Sequence, residues 1–294
     1  MSKSRVIGIV LALLGVVLFS AKAVMVKLAY QYDVDAVSLL LLRMLFALPF
    51  YAVIALVKRP KDPKVMHSNI YLWILGLGVV GYYLASLFDF LGLQFIKASL
   101  ERIILFVYPT IVLLISRIFF KKRITKRQLL AIVLTYLGIV LAFSLEFSLK
   151  SEDLFIGCGL IFLSALTYAS YIAGSGWLIP KIGATVFTSY AMIVSCICVL
   201  IHYAIVGDFE LANYSFEVYV LALFMAILST VIPSYLVSYS IKMIGAPSFA
   251  IVASFGPIST ILLAHVFLSE SMHWAQWIGT FLVIIGVFFV TKKD

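Results

Sequence analysis

A chain of 294 residues that is 64% hydrophobic and 12% charged cannot clothe a soluble surface, since water-facing domains carry about 25% charged residues. Its mean hydropathy of +1.15 and its apolar runs of about 20 residues, each long enough to cross a hydrocarbon core of roughly 30 Å as a helix, place it in a membrane. The net charge of +9 does not mark a nucleic-acid binder: the Lys and Arg residues sit in short clusters beside apolar runs, where they set topology and meet anionic lipid head groups of the bilayer.

Taken in chain order, the first apolar run follows Lys3 and Arg5 and passes Ala21-Lys22-Ala23, a pattern shared with cleavable leaders. It continues through Val24 to Tyr30 and has a counterpart later in the chain, so it reads as helix 1. Ten spans are expected, at 6–30, 36–57, 70–93, 97–119, 126–145, 154–178, 184–206, 216–241, 247–268 and 273–290. The connections between them are short. Cys158, Cys196 and Cys198 lie inside apolar runs and read as small hydrophobes rather than a disulfide framework or metal site.

The basic residues sort by side. Lys3, Arg5, Lys58, Arg59, Lys61, Lys64, Lys121, Lys122, Arg123, Lys126, Arg127, Lys181, Lys242, Lys292 and Lys293 fall on the face that holds both termini. The other face has Lys97 and Lys150 and is otherwise acidic, with Asp33, Asp35, Glu146, Glu152, Asp153, Asp208, Glu210, Glu217 and Glu270. Adding or removing one span scrambles this sorting. The positive-inside rule therefore places both termini in the cytoplasm, in a multi-pass protein of the cytoplasmic (inner) membrane.

A shift of about 148 residues aligns the two halves. Ala98, Ile103, Pro109, Leu114, Phe119, Gln128, Leu134 and Gly138 fall on Ala246, Ile251, Pro257, Leu262, Phe267, Gln276, Leu282 and Gly286, and with one more residue Gly8 falls on Gly157. Each half holds five helices, an odd number, so the halves enter the membrane in opposite senses. The expected fold is thus an all-α membrane protein with ten transmembrane helices in two inverted five-helix repeats, residues 1-147 and 148-294. Such repeats are common among alternating-access carriers; a duplication kept for structural reasons in a channel or scaffold is the competing reading.

A pattern recurs within each half. It reads Ala98-Ser99, Tyr108-Pro109, Gln128 and Leu137-Gly138-Ile139 in the first half, and Ala246-Pro247, Gly256-Pro257, Ser269-Glu270, Gln276 and Ile285-Gly286-Val287 in the second. With Lys27 late in helix 1 and Leu42-Arg43 in helix 2, it resembles the EamA-type members of the drug/metabolite transporter superfamily. The resemblance implies ten helices in two inverted repeats, a central cavity, and secondary transport of amino acids, other metabolites or drugs. The chain departs from the family's common pattern at Lys22 and at Lys121-Lys122-Arg123.

Charge within a bilayer costs about 2.5–3.5 kcal/mol per group on insertion scales, so the six charges away from span ends, Lys22, Lys27, Arg43, Asp89, Glu101 and Arg102, are the first candidates. Helical rise places all of them in the outer half of helices 1 to 4, Arg43 at a depth of roughly 10 Å. Their partners under the repeat are Tyr171, Gly176, Met192, Val237, Phe249 and Ala250, none of them charged. Charges absent from the second copy serve something other than folding. The bland alternatives are snorkelling for Lys27, boundary positions for Asp89 and Glu101, and a structural ion pair for Lys22 and Arg43.

The expected substrate-binding set is Lys22, Arg43, Asp89, Glu101 and Arg102 with the deep tyrosines Tyr82, Tyr168, Tyr171, Tyr235 and Tyr239, whose hydroxyls need partners. Tyr83 is also deep. Trp73, Trp177, Trp274 and Trp277 fit an interfacial belt, while Arg117, His265 and His202 read as boundary or helix-end residues. Pro109, Pro233 and Pro257 interrupt helices and are candidate hinges, with static kinks as the alternative.

Four positive and two negative groups favour a small-molecule substrate with a carboxylate or other anionic group. A titrating Asp89 or Glu101 is a route to proton coupling, and exchange against a counter-substrate is equally open. A channel or membrane receptor is the second reading. An intramembrane enzyme is third: Gly174-Ser175-Gly176 lacks a His partner at matching depth. No metal-ligand spacing or phosphate loop is present, so no cofactor or metal is expected. Nothing in the sequence fixes an oligomeric state.

Overall fold

Apolar segments without water to solvate them must satisfy their backbone groups internally, which leaves helices as the economical solution. In the computed structural model every regular element among the described residues is helical. The structure describes residues 3–58, 60, 66–121, 125–143, 152–207, 209–269, 274–275, 277–279, 281–282 and 285.

The first half contains α1 (Lys3–Ala29), α2 (Ala36–Val57), α3 (Ser68–Gly78), α4 (Ala85–Phe95), α5 (Ala98–Leu105), α6 (Tyr108–Ile118) and α7 (Lys126–Phe143). The second contains α8 (Glu152–Ile182), α9 (Ala184–Val206), α10 (Phe216–Ala226), α11 (Ile232–Ile244), α12 (Ala246–Val252) and α13 (Gly256–Leu268). Asp35 starts α2 as an N-cap, accepting from the amides of Val37 (2.8 Å) and Ser38 (3.0 Å). Its other oxygen accepts from the Tyr214 hydroxyl at 2.9 Å, joining the connection before α2 to the one before α10.

Four interruptions break the helices, two in each half. A π-helical turn, Val79–Leu84, joins α3 to α4, and a second, Ile227–Val231, joins α10 to α11. They begin 148 residues apart, the same offset that aligns the sequence. The chain also breaks at Phe106–Val107 between α5 and α6, and at the 3-10 turn Ala253–Phe255 between α12 and α13. Pro109, Pro233 and Pro257 each lie within two residues after an interruption. Proline lacks the N–H for the helix ladder and its ring crowds the carbonyl four residues back, so each break falls on the N-terminal side of its proline.

Seven helical segments among the described residues are long and apolar enough to cross a membrane. The sequence reading has ten. The difference lies in the fourth span, divided into helices of eight and eleven residues, in the 18-residue α7, and in the tenth, 273–290, most of which is outside the described residues. Arg59, Lys61, Lys64, Lys122, Arg123, Glu146, Lys150, Asp208, Glu270, Gln276, Gly286, Lys292 and Lys293 also lie outside them.

Packing crosses between the halves. α1 lies along α11 and α13, and α8 lies along α4 and α6. Gly8 lets α1 approach α11: a Cβ there would stand 2.7 Å from Ile244 Cγ2. Gly157 does the same for α8, where a Cβ would stand 2.6 Å from Ile96 Cγ2. Both members of one contact thus have counterparts in the other at the repeat offset. Among the tryptophans, Trp73 and Trp177 pack at 5.4 Å, and the Lys181 ammonium lies 3.4 Å over the Trp177 ring, an arrangement suited to an interface.

Forcing a side chain into such close approaches costs about 1–3 kcal/mol. Gly8→Leu and Gly157→Leu should each lower the midpoint of thermal unfolding in detergent by several degrees. Gly159→Leu, at a position with no atom within 4 Å of an added Cβ, should leave it unchanged.

Candidate functional site

Arg43 comes about two turns into α2 and is 1% exposed. Its Nε donates to Thr230 Oγ1 at 2.7 Å, and its guanidinium lies 5.3 Å from the centre of the Phe90 ring. The Thr230 acceptor is a product of the second π turn: its hydroxyl donates at 2.8 Å to the carbonyl of Met225, five residues back. Arg43 Nη1 has no hydrogen-bond partner, and no carboxylate among the described residues forms an ion pair with this arginine.

Lys22, on α1, sits 2.6 Å from Asp89 Oδ2 on α4. Glu101 and Arg102 are adjacent on α5, with Arg102 Nε 3.6 Å from Glu101 Oε2, too long for a hydrogen bond. Arg102 Nη2 donates to the Phe19 carbonyl of α1 at 3.3 Å. Asp89 and Glu101 are fully buried. Lys27 donates to the Leu93 carbonyl at 2.9 Å, near the end of α4, and the neighbouring Tyr30 hydroxyl donates to the Phe90 carbonyl at 2.7 Å.

Lys22, Arg43 and Arg102 line a cavity together with Tyr82 and Tyr108, and the second half adds Tyr168, Phe249 and Pro257. It offers about 60 Å³ to the centres of water-sized molecules, room for a few waters. The first π turn supplies Tyr82, whose buried hydroxyl is within reach of the Tyr171 hydroxyl. Tyr82 and Thr230 hold the same place in their respective π turns, 148 residues apart. Gly81 is required beside Tyr82 because a Cβ would fall 2.3 Å from the Tyr171 ring. Tyr82 meets Tyr171 edge-on at 5.0 Å and Tyr108 meets Tyr168 edge-on at 5.3 Å, forming an aromatic wall that continues through Tyr171 to Phe187 at 5.5 Å.

The structure therefore brings Lys22, Arg43, Tyr82, Arg102 and Tyr168 to one space, with Asp89 and Glu101 behind the cations and Tyr171 behind the tyrosines. Tyr235 and Tyr239 are elsewhere: the Tyr235 hydroxyl pairs with Ser189 at 2.7 Å and Tyr239 with Thr185 at 2.8 Å. Tyr83 pairs with His202 at 3.1 Å. Thr230 and Tyr108 were not singled out from the sequence. Tyr108 precedes Pro109 in the repeated motif, and the repeat partner of Tyr82 is Thr230, so the internal alignment held a signal for both.

The model of the EamA-like transporter family matches the chain twice, at residues 6–144 and 155–292. The protein named uncharacterized transporter YcbK of Bacillus subtilis is 32% identical, over 95% of this chain and 92% of its own length. An uncharacterized transporter of Archaeoglobus fulgidus is 24% identical over 75% of this chain and 77% of its own. One solved crystal structure shares the fold, with a TM-score of 0.72 at 15% identity over 97% of this chain and 96% of its own.

Removing one partner of a buried ion pair costs about 3–5 kcal/mol because the other charge is stranded. Lys22→Met and Asp89→Asn should each destabilise the protein strongly. The double variant should cost less than the sum of the two, as measured in a double-mutant cycle of thermal or denaturant unfolding.

Proposed function

Because the chain belongs to the EamA-like transporter family, we propose that it is a secondary active transporter of a small polar metabolite bearing an anionic group, of the amino-acid or organic-anion class. It works by alternating access across the cytoplasmic membrane. The observation that carries this reading is a buried cation with an unpaired donor at one cavity: Arg43 Nη1 has no hydrogen-bond partner, and Lys22 and Arg102 line the same space. An uncompensated cation in a low-dielectric interior is costly, and an anionic oxygen arriving between these groups relieves that cost. Bidentate recognition of a carboxylate suits the planar guanidinium of Arg43 in particular.

Two inverted five-helix repeats, 1-147 and 148-294, suit the transport cycle, since exchange of conformations between halves moves the opening from one side to the other. The support is the double family match, the paired π turns, the paired breaks before Pro109 and Pro257, and the reciprocal Gly8 and Gly157 contacts. The sorting of Lys and Arg by loop supports cytoplasmic termini. Ligand pockets run to about 300 Å³ and more, so a cavity of about 60 Å³ represents a closed form of the cycle, and the broken helices are the places where it opens. Ser175, the nearest approach to a nucleophile motif, is fully buried and donates to the Ile172 carbonyl at 2.8 Å, an engagement that favours transport over the enzyme reading.

A thermal-stabilisation screen of purified protein against amino acids, nucleotides and organic anions should find ligands with a carboxylate or comparable oxyanion. Charge-assisted hydrogen bonds contribute about 1.5–3 kcal/mol, so Arg43→Gln should weaken any such ligand about tenfold to a hundredfold and abolish its uptake or efflux by proteoliposomes. Stabilisation confined to neutral or cationic compounds, or unchanged affinity in Arg43→Gln, would remove the arginine from recognition. Single-channel currents in planar bilayers would replace the carrier with a pore.

A further inference from the structure

The carboxyls of Asp89 and Glu101 are both 0% exposed and lie within hydrogen-bonding reach of each other. Donors for them are scarce. Lys22 Nζ is 2.6 Å from one Asp89 oxygen, and Arg102 Nε is 3.6 Å from one Glu101 oxygen. Beyond these two ion pairs, no donor among the described residues reaches any of the four oxygens. Two ionised carboxylates in contact are mutually repulsive, and sites of this kind hold one proton between them. A proton on either carboxyl turns it from an acceptor into a donor, with the other carboxyl as the acceptor at hand.

The groups facing the pair come from three directions. α1 and the turn after it bring Lys22 and Tyr30, whose hydroxyl hydrogen is already directed at the Phe90 carbonyl. Arg43 approaches from α2, with its Nε held by Thr230. Arg102 approaches from α5. Lys22 and Arg102 each have a second aspect, because both also line the cavity. They stand between the carboxyl pair and whatever anion occupies that space.

We propose that Asp89 and Glu101 share a single proton, and that Lys22 and Arg102 link it to the anionic group of a bound substrate. An anion in the cavity draws the two cations toward itself and loosens their hold on the carboxyls, which favours a proton on the pair. Linkage is reciprocal, so the proton favours the anion equally. The proton is taken from water on the side from which the anion enters and is released when the anion leaves. One proton and a monoanion then load together with no net charge. The linkage half of this proposal rests on the anion-carrier reading above; the shared proton does not.

The test is infrared spectroscopy of the full-length protein in lipid nanodiscs, following the carbonyl stretch of a protonated carboxylic acid through a pH titration. The wild type should show this band at neutral pH, and Glu101→Gln and Asp89→Asn should each abolish it. A wild type without the band at neutral pH overturns the shared proton. The second arm adds acetate, glycine, glutamate or inorganic phosphate. Any of these that stabilises the wild type against heat but not Arg43→Gln occupies the cavity, and should raise the band's midpoint by about one pH unit for a coupling of about tenfold. A midpoint that stays fixed with such an anion bound overturns the linkage. If none of the four anions stabilises the protein, the anion-carrier reading and the linkage fail together, while the band alone still decides the shared proton.

Discussion

A charge inside hydrocarbon persists only where protein replaces water around it, and that constraint organises this molecule. Lys22, Arg43, Asp89, Glu101 and Arg102 converge from α1, α2, α4 and α5, and each is 9% exposed or less. The Lys22–Asp89 pair fixes α1 against α4. Arg102 ties α5 to α1 through the Phe19 carbonyl, and Arg43 ties α2 to the π turn between α10 and α11 through Thr230. Removing any one partner strands another, so the charges hold the centre of the bundle in register as well as shaping the cavity. Packing alone does not require ionic side chains here, because the corresponding positions of the second half are Tyr171, Met192, Val237, Phe249 and Ala250.

The two halves contribute unequally to the site. The first supplies every charged group around the cavity, while the second supplies Phe249, Pro257, Ser164 and Tyr168 as walls and Thr230 as a neutral acceptor. Ser164 also donates to the Ala85 carbonyl at 2.7 Å, holding α8 close to the first residue of α4. A framework repeated at a fixed offset therefore carries two different surfaces toward one space, one ionic and one aromatic and apolar. That asymmetry suits a ligand with a charged end and a less polar remainder.

Much of this was legible in the sequence, and the parts that were not share a physical cause. Run length anticipated the helical segments, and the offset of 148 residues anticipated where the breaks recur. The isolated charges of helices 1 to 4 identified themselves by their cost. Facing was much harder to read. A helix that is apolar all round has no wet stripe to mark its buried side, so Tyr235 and Tyr239 looked as deep as Tyr82 and Tyr168, yet they pair with Ser189 and Thr185 away from the cavity. The π turns left no trace in hydrophobic periodicity. At these turns Gly81 and Thr230 meet neighbours that are distant in the chain, Tyr171 and Arg43. Proline alone did not reveal where helices break, since Pro49 and Pro180 lie inside continuous helices, while a π turn precedes Pro233 and tighter turns precede Pro109 and Pro257.

A π turn accommodates one residue more than the α-helix around it, and in a helix one residue corresponds to a rotation of about 100°. Everything beyond Val231 on α11, and beyond Leu84 on α4, is therefore aimed by the extra residue. Deleting a single residue within either turn would swing Asp89 or Ser234 about a quarter of the way around its helix while leaving the hydropathy profile almost untouched. The register shift recurs at matching places in both halves. Alignments that close such one-residue gaps for tidiness would misassign the inward face of every residue that follows.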